Sequence, residues 1–197
     1  MNAMQKLTRD DLYSLEQYSE IRNEFRNKIL SHKRNRRVEL GTNAALYFED
    51  RLTMQYQVQE MLRIERIFEA AGINDELEAY NPLIPDGSNW KATFMVEFPD
   101  VAERRAMLGQ LIGIENKVYV QVEGFDRVYA IADEDLERSD EKKTSAVHFM
   151  RFELSAGEVD ALKSGASLTA GIAHENYQVE IPALPENVRQ SLIGDLD

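Results

Sequence analysis

The sequence contains no cysteine. That absence removes disulfides, thiolate zinc sites, cysteine nucleophiles and iron–sulfur clusters ligated by the chain. Histidine is scarce: His32, His148 and His174 are the three, and none stands in an HExxH or HxxxH pattern. A rubrerythrin-type diiron centre needs Glu-x-x-His pairs on facing helices, and no such pair occurs. The glycines form neither GxGxxG nor a phosphate-binding P-loop, and there is no GxSxG. No cofactor is therefore expected. No apolar run approaches the roughly 18 residues of a membrane-spanning helix. The N-terminus, MNAMQKLTRDD, lacks the basic and apolar regions of a secretory signal, so a cytoplasmic protein with no membrane contact is expected. Basic charge is also short, 23 Lys and Arg against 35 Asp and Glu, for a net charge of −12. Phosphate contacts need a basic face, which disfavours nucleic acid as a partner.

What is present reads as an ordinary globular chain of 197 residues, 43% hydrophobic and 29% charged. The prior is one α+β domain. Its helical N-terminal part spans 8–80, with Thr8 as first cap and Asp10 and Asp11 in the first turn. That helix continues to about Asn35. Gly41-Thr42-Asn43 marks a turn and Ala44 to Glu49 a strand. The stretch YQVQEMLRIERIFEAAGI, residues 56–73, reads as one amphipathic helix closed by Gly72. NDELEAYNPLIPDGSNW follows as a stiff loop anchored by Leu83, Ile84 and Trp90.

From Trp90 on, two segments share a pattern. WKATFMVEF alternates Trp90, Ala92, Phe94, Val96 and Phe98 on one face, then a helix and two strands follow; AVHFMRFEL alternates His148, Met150, Phe152 and Leu154, again before a helix and two strands. The offset of 56 between them keeps strand parity. Tandem β-α-β-β units over 90–132 and 147–181 predict one mostly antiparallel sheet or a small barrel, covered by the long N-terminal helices, with a closing helix at 185–195. The charged stretch 132–145 reads as the most exposed and mobile. His174 falls in a hairpin turn and is expected at the surface, while His148 points into the core.

One residue breaks the apolar pattern. On the 56–73 helix Glu65 projects between Met61 and Phe68, inside the apolar arc, and a buried carboxylate needs a cation, a metal or a proton. An internal salt bridge to Arg22 or Arg26 on the first helix is one answer. A functional centre is the other: Glu65 with Glu69 and His148 as metal ligands, or Glu65, Arg22, Asp86 and Lys91 around a polar pocket of a small enzyme. Two further features suit a non-enzymatic binding protein for a small anion or an acidic partner. One is RNKILSHKRNRR, residues 26–37, with Arg26, Lys28, Lys33, Arg34, Arg36 and Arg37 and no acid; the other is the 80–91 loop with Asp86, Trp90 and Lys91. Exposed sheet edges suggest a homodimer.

At EDRLTMQYQVQEMLRIERIFEAAGI, YNPLIPDGSNWKATFMVEFPD, VEGFDRVYAIADEDLER and KTSAVHFMRFEL the sequence resembles the bacterial DUF3501 family, from about Leu7 to Leu196. The resemblance transfers no catalytic residue, because the family carries no established reaction. It implies an association with oxidative-stress or redox physiology, since members tend to be encoded near rubrerythrin-like and iron–sulfur oxidoreductase proteins.

Overall fold

The structure, a computed structural model, describes residues 5–136, 138–140 and 142–197. Thr8 and Asp11 close a capping box on a single 3-10 turn, Arg9–Asp11, and not on the long helix. That helix, α1 (Leu15–Arg34), starts from Ser14, whose hydroxyl accepts from the Gln17 backbone N–H. The reason is tertiary. Buried Gln59 accepts from the Tyr13 N–H at 2.6 Å and donates to the Tyr13 carbonyl at 3.3 Å, which holds the chain open just before α1.

After strands β1 (Arg37–Glu39) and β2 (Ala44–Glu49), helix α2 (Arg51–Glu65) begins at Asp50, boxed with Thr53. The expected continuous helix to residue 73 does not form. Arg66 turns left-handed at φ 56° and the Ile67 N–H reaches back to the Leu62 carbonyl at 2.9 Å, ending α2. Helix α3 (Ala70–Tyr80) follows, and Gly72 lies inside it. Gly72 serves close packing: a Cβ there would stand 2.8 Å from the Ile67 side chain. The three helices pack their apolar residues largely among themselves. Tyr18, Phe25 and Ile29 meet Leu52 and Tyr56, while Met54, Val58 and Leu62 meet Leu7, Leu77 and Ile84.

The rest of the chain forms two antiparallel sheets instead of one. Segment 89–132 runs β3 (Asn89–Val96), α4 (Val101–Gln110), β4 (Val118–Val122), β5 (Arg127–Tyr129) and β6 (Ile131–Ala132). Segment 147–181 runs β7 (Val147–Glu153), α5 (Ala156–Lys163), β8 (Leu168–His174) and β9 (Tyr177–Ile181), before α6 (Glu186–Ile193). Both segments place their first strand in the sheet β1-β2-β3-β7-β6 and their hairpin in the sheet β5-β4-β8-β9. The sheets divide because each buries one face against the other. Trp90, Ala92, Phe94 and Val96 of β3 and His148, Met150 and Phe152 of β7 join Val118, Val120 and Val122 of β4 and Leu168, Ala170 and Ile172 of β8 in the interior. The period-two alternation of a half-buried strand is thus obeyed on both sides. Trp90 belongs to this core. It is fully buried and its Nε1–H donates to the Leu192 carbonyl at 2.8 Å, so it is no ligand contact.

Two further expectations are corrected. The basic segment is not wholly a surface feature, because Arg36 is 2% exposed and spends its guanidinium inside. It donates to the carbonyls of Phe48, Glu49 and Ser191 and pairs with Asp195 and Asp50. His174 is buried, with Nε2 against the Ile112 carbonyl at 3.1 Å. Among the described residues no helix is long and apolar enough to cross a membrane.

Candidate functional site

Alternation along β3 sends Lys91 to the outer face of its sheet, opposite to Trp90. Register places it between Glu49 of β2 and Arg151 of β7. Over this face leans the turn after α3. Pro82 tightens it into a 3-10 turn, Asn81–Leu83, and the Asn81 side chain clamps it by accepting from the Leu7 N–H at 2.8 Å and donating to the Leu7 carbonyl at 3.0 Å. The result is a cleft of ≈ 340 Å³ with Tyr80, Pro82, Leu83 and Phe149 as apolar walls and Lys91, Arg151, Glu134 and Asp135 as its charged groups.

The two cations differ. Arg151 is engaged by carboxylates: Nε and Nη2 each donate to Glu134 at 2.9 Å and Nη1 donates to Glu153 at 2.5 Å. Those bonds raise its pKa and hold Glu134 below the usual carboxylate value. Three of the five guanidinium N–H groups are used, so two remain without a partner among the described residues. Lys91 is half-buried and forms no hydrogen bond or ion pair with any described residue. Burial and the neighbouring Arg151 charge push its pKa below the ordinary lysine value, against the opposing pull of Glu134 and Asp86. Asp86 is exposed, and against slight desolvation its pKa is held below the ordinary value by bonds from Asn89 and Ser88 and by the Lys91 charge. The Lys6 ammonium donates to the Asn81 carbonyl at 2.6 Å. A partly desolvated ammonium with unused donors and apolar walls around it is equipped to bind an anion that carries an apolar body.

Of the residues that the sequence singled out, Lys91 lines this cleft and the others do not. Glu65 is exposed at the end of α2, not buried in an apolar arc, and Phe68 is 73% exposed beyond the helix break. The α2 stripe facing α1 is Leu52, Tyr56 and Glu60, each one turn apart, so Glu60 is the internal carboxylate. Arg22 grips it with Nε at 2.8 Å and Nη2 at 2.9 Å, and the Tyr18 hydroxyl adds a bond at 2.7 Å. Arg26 is exposed. Glu69 is the exposed cap of α3 and His148 lies in the core, so Glu65, Glu69 and His148 are not brought together. Among the described residues no group of three or more His, Asp or Glu could hold a metal ion.

The helix pair yields a first prediction. Arg22 holds the Glu60 carboxyl at about 2, depressed from an ordinary 4.5. A depressed folded pKa gives stability that is present above the unfolded value and lost as pH falls toward the folded one. Glu60→Gln should lower Tm at pH 7, with a smaller difference from wild type at pH 3, whereas Glu65→Gln should leave Tm unchanged. Thermal melts of both variants at the two pH values check this.

Arg151 and Glu134 carry no mark as site residues in the sequence, and Tyr80 stands out only as the first residue of the 80–91 loop. Outward parity on β7 marks Arg151, but only the β3–β7 register puts it beside Lys91. Glu134 lies in the stretch expected to be the most exposed and mobile, and its side chain is exposed; residues 137 and 141 of that stretch lie outside the described residues. Asp133 adopts φ 53° and bridges inward, its Oδ1 accepting from the Phe149 N–H at 3.1 Å and its Oδ2 meeting His148 Nδ1 at 2.6 Å. His148 Nε2 meets the Thr144 hydroxyl at 2.9 Å, and that hydroxyl also lies 3.2 Å from Glu115. Hydroxyl, imidazole and carboxylate stand in the order of a nucleophile, base and orienting group. His148 is 0% and Thr144 1% exposed, so no substrate reaches them and the chain is structural.

Comparison with known proteins fixes the relationship. Residues 6–196 match the model of DUF3501, described as a protein of unknown function. The chain belongs to the DUF3501 family. No curated protein matches it. A solved structure from Burkholderia pseudomallei, titled a novel protein of unknown function, is similar to this DUF3501 chain at 48% identity, with a TM-score of 0.93 over 98% of this chain and 100% of that one.

Proposed function

We propose that this DUF3501 protein is a non-enzymatic binding or accessory protein whose Lys91 cleft takes a small anion with an apolar body. The observation that supports the reading is the Lys91 ammonium, half-buried among Tyr80, Pro82, Leu83 and Phe149 and paired with no described residue. An anion there gains charge-assisted hydrogen bonds from Lys91 and from the two free N–H groups of Arg151, while its body covers the apolar wall. The alternative of a carboxylate-centred enzyme at Glu65 loses its support, since that side chain stands in water. The basic 26–37 segment is the weaker anion site, because its Arg36 is already consumed inside the protein. The family's implied setting makes oxidative-stress physiology the place to look for the natural ligand. A homodimer is a separate proposal, which sedimentation equilibrium tests.

Phenylacetate is a suitable first probe. Calorimetric titration of the wild type should give saturable binding, and Lys91→Met should weaken it by about tenfold or more, as loss of a charge-assisted hydrogen bond of roughly 1.5–3 kcal/mol requires. No saturable heat at millimolar probe, or equal affinity in the two proteins, would contradict the reading.

A further inference from the structure

We propose that Lys91 is an amine nucleophile, and that the cleft captures small 2-oxo carboxylates and aldehydes as an imine at Lys91 Nζ. The inference rests on the anion-binding reading of this cleft and adds covalent chemistry to it.

Four observations carry it. Lys91 is held by no carboxylate among the described residues, so its nitrogen can leave the ammonium form without breaking an ion pair. It stands on the third of five strands, fixed between Glu49 and Arg151, so its stem starts from a rigid base. Tyr80, Pro82, Leu83 and Phe149 line one side of the cleft, and their apolar surface disfavours the ammonium relative to the neutral amine. Arg151 next to it is a fixed like charge whose spare N–H groups can receive the carboxylate of a 2-oxo acid. A lysine desolvated in an apolar pocket beside another cation is the arrangement that activates an amine for Schiff-base chemistry. The depressed pKa of Lys91 agrees with that geometry.

The step balances without a redox partner. Lys91 loses one proton to solvent, and the nitrogen lone pair then forms a C–N bond at the carbonyl carbon while the C=O π pair moves to oxygen. That oxygen takes a proton and gives a carbinolamine. A second proton leaves nitrogen for solvent. The hydroxyl, protonated in turn, departs as water when the nitrogen lone pair forms the C=N bond and the C–O bond breaks. Ammonium and carbonyl become protonated imine and water.

Glyoxylate with cyanoborohydride traps such an imine as a carboxymethyl-lysine, read by peptide mass mapping of the full-length protein. Lys91 should be modified at least about tenfold faster than any other lysine, as an activated amine requires. Lys91→Arg keeps a cation and cannot form an imine; it should bind phenylacetate and show no fast site. Modification of Lys91 no faster than that of the surface lysines overturns the proposal. If phenylacetate binding persists in that case, the anion site stands and the nucleophile falls. If neither probe engages the cleft, both fall. Fast trapping at Lys91 without phenylacetate binding upholds the nucleophile and overturns the simple anion site.

Discussion

Arg36→Met should cost roughly 3–5 kcal/mol, the size expected when one partner of a buried ion pair is removed and the other stays. Arg36 ties three separate parts of the chain: its donors reach the Phe48 and Glu49 carbonyls of β2 and Ser191 of α6, and its charge faces Asp50 and Asp195. Methionine fills similar space but leaves those carbonyls unpaired and Asp195 without a counter-charge. The loss should depend on pH. Burial, with the nearby Asp50, pushes the Asp195 carboxyl up to about 6 from an ordinary 3.8, even beside Arg36. An acid raised in the folded state binds its proton there first, so stability falls as pH rises from 3.8 to about 6 and is flat above. Asp50 is held low, at about 2, by His32, Arg36 and the Thr53 N–H against the effect of burial, so it stays ionised through this window. Arg36→Met should therefore be least stable at pH 7–8 and recover in part near pH 5. The double variant with Asp195→Asn should regain much of the loss, since strongly coupled neighbours are not additive. Urea melts of the four proteins decide; additive losses would contradict the network.

His148→Ala should be the other large effect, about 3 kcal/mol, from the cavity left by a fully buried ring and from stranding its polar partners. Asp133 Oδ2, the Thr144 hydroxyl and the Ser145 carbonyl all converge on that imidazole. His148→Phe separates the two causes: it restores the volume and should still lose roughly 1–3 kcal/mol, because Asp133 keeps no partner for that oxygen. The consequence reaches the cleft. Asp133 fixes the backbone that presents Glu134 to Arg151, so His148→Ala should lower amide-exchange protection at Phe149 and loosen the Glu134–Arg151 pair. Guanidinium melts with hydrogen exchange test both. A loss under 1 kcal/mol with unchanged protection would contradict the structural role.

The strands were legible where alternation is strict. Trp90, Ala92, Phe94 and Val96 announce an inner face, and His148 falls on the inner face of β7 as its parity requires. The helix break was not legible. No glycine or proline separates residue 51 from Gly72, and an arginine at φ 56° carries no sequence mark, so Glu65 was placed on a helix that ends with it. Glu60 was within reach through the four-residue spacing of Leu52, Tyr56 and Glu60, but that stripe shows only once α1 is known to cover it. Arg36 sits in HKRNRR, which reads as a solvated basic run; its partner Asp195 is 159 residues away, and no local pattern encodes so distant a pair. The cleft has the same origin. Lys91 stood out by type and loop position, whereas Arg151 joins it through the β3–β7 register and Glu134 through the turn that follows β6.

Binding and chemistry at the cleft both depend on the state of the Lys91 ammonium. The most direct measurement is an NMR titration of the Lys91 side chain, assigned with Lys91→Arg, in the free protein and with phenylacetate. A midpoint below the ordinary lysine value in the free protein, which rises on adding phenylacetate, is the predicted result, because an anion favours the charged form. A Lys91 midpoint at the ordinary lysine value that phenylacetate leaves in place would contradict it.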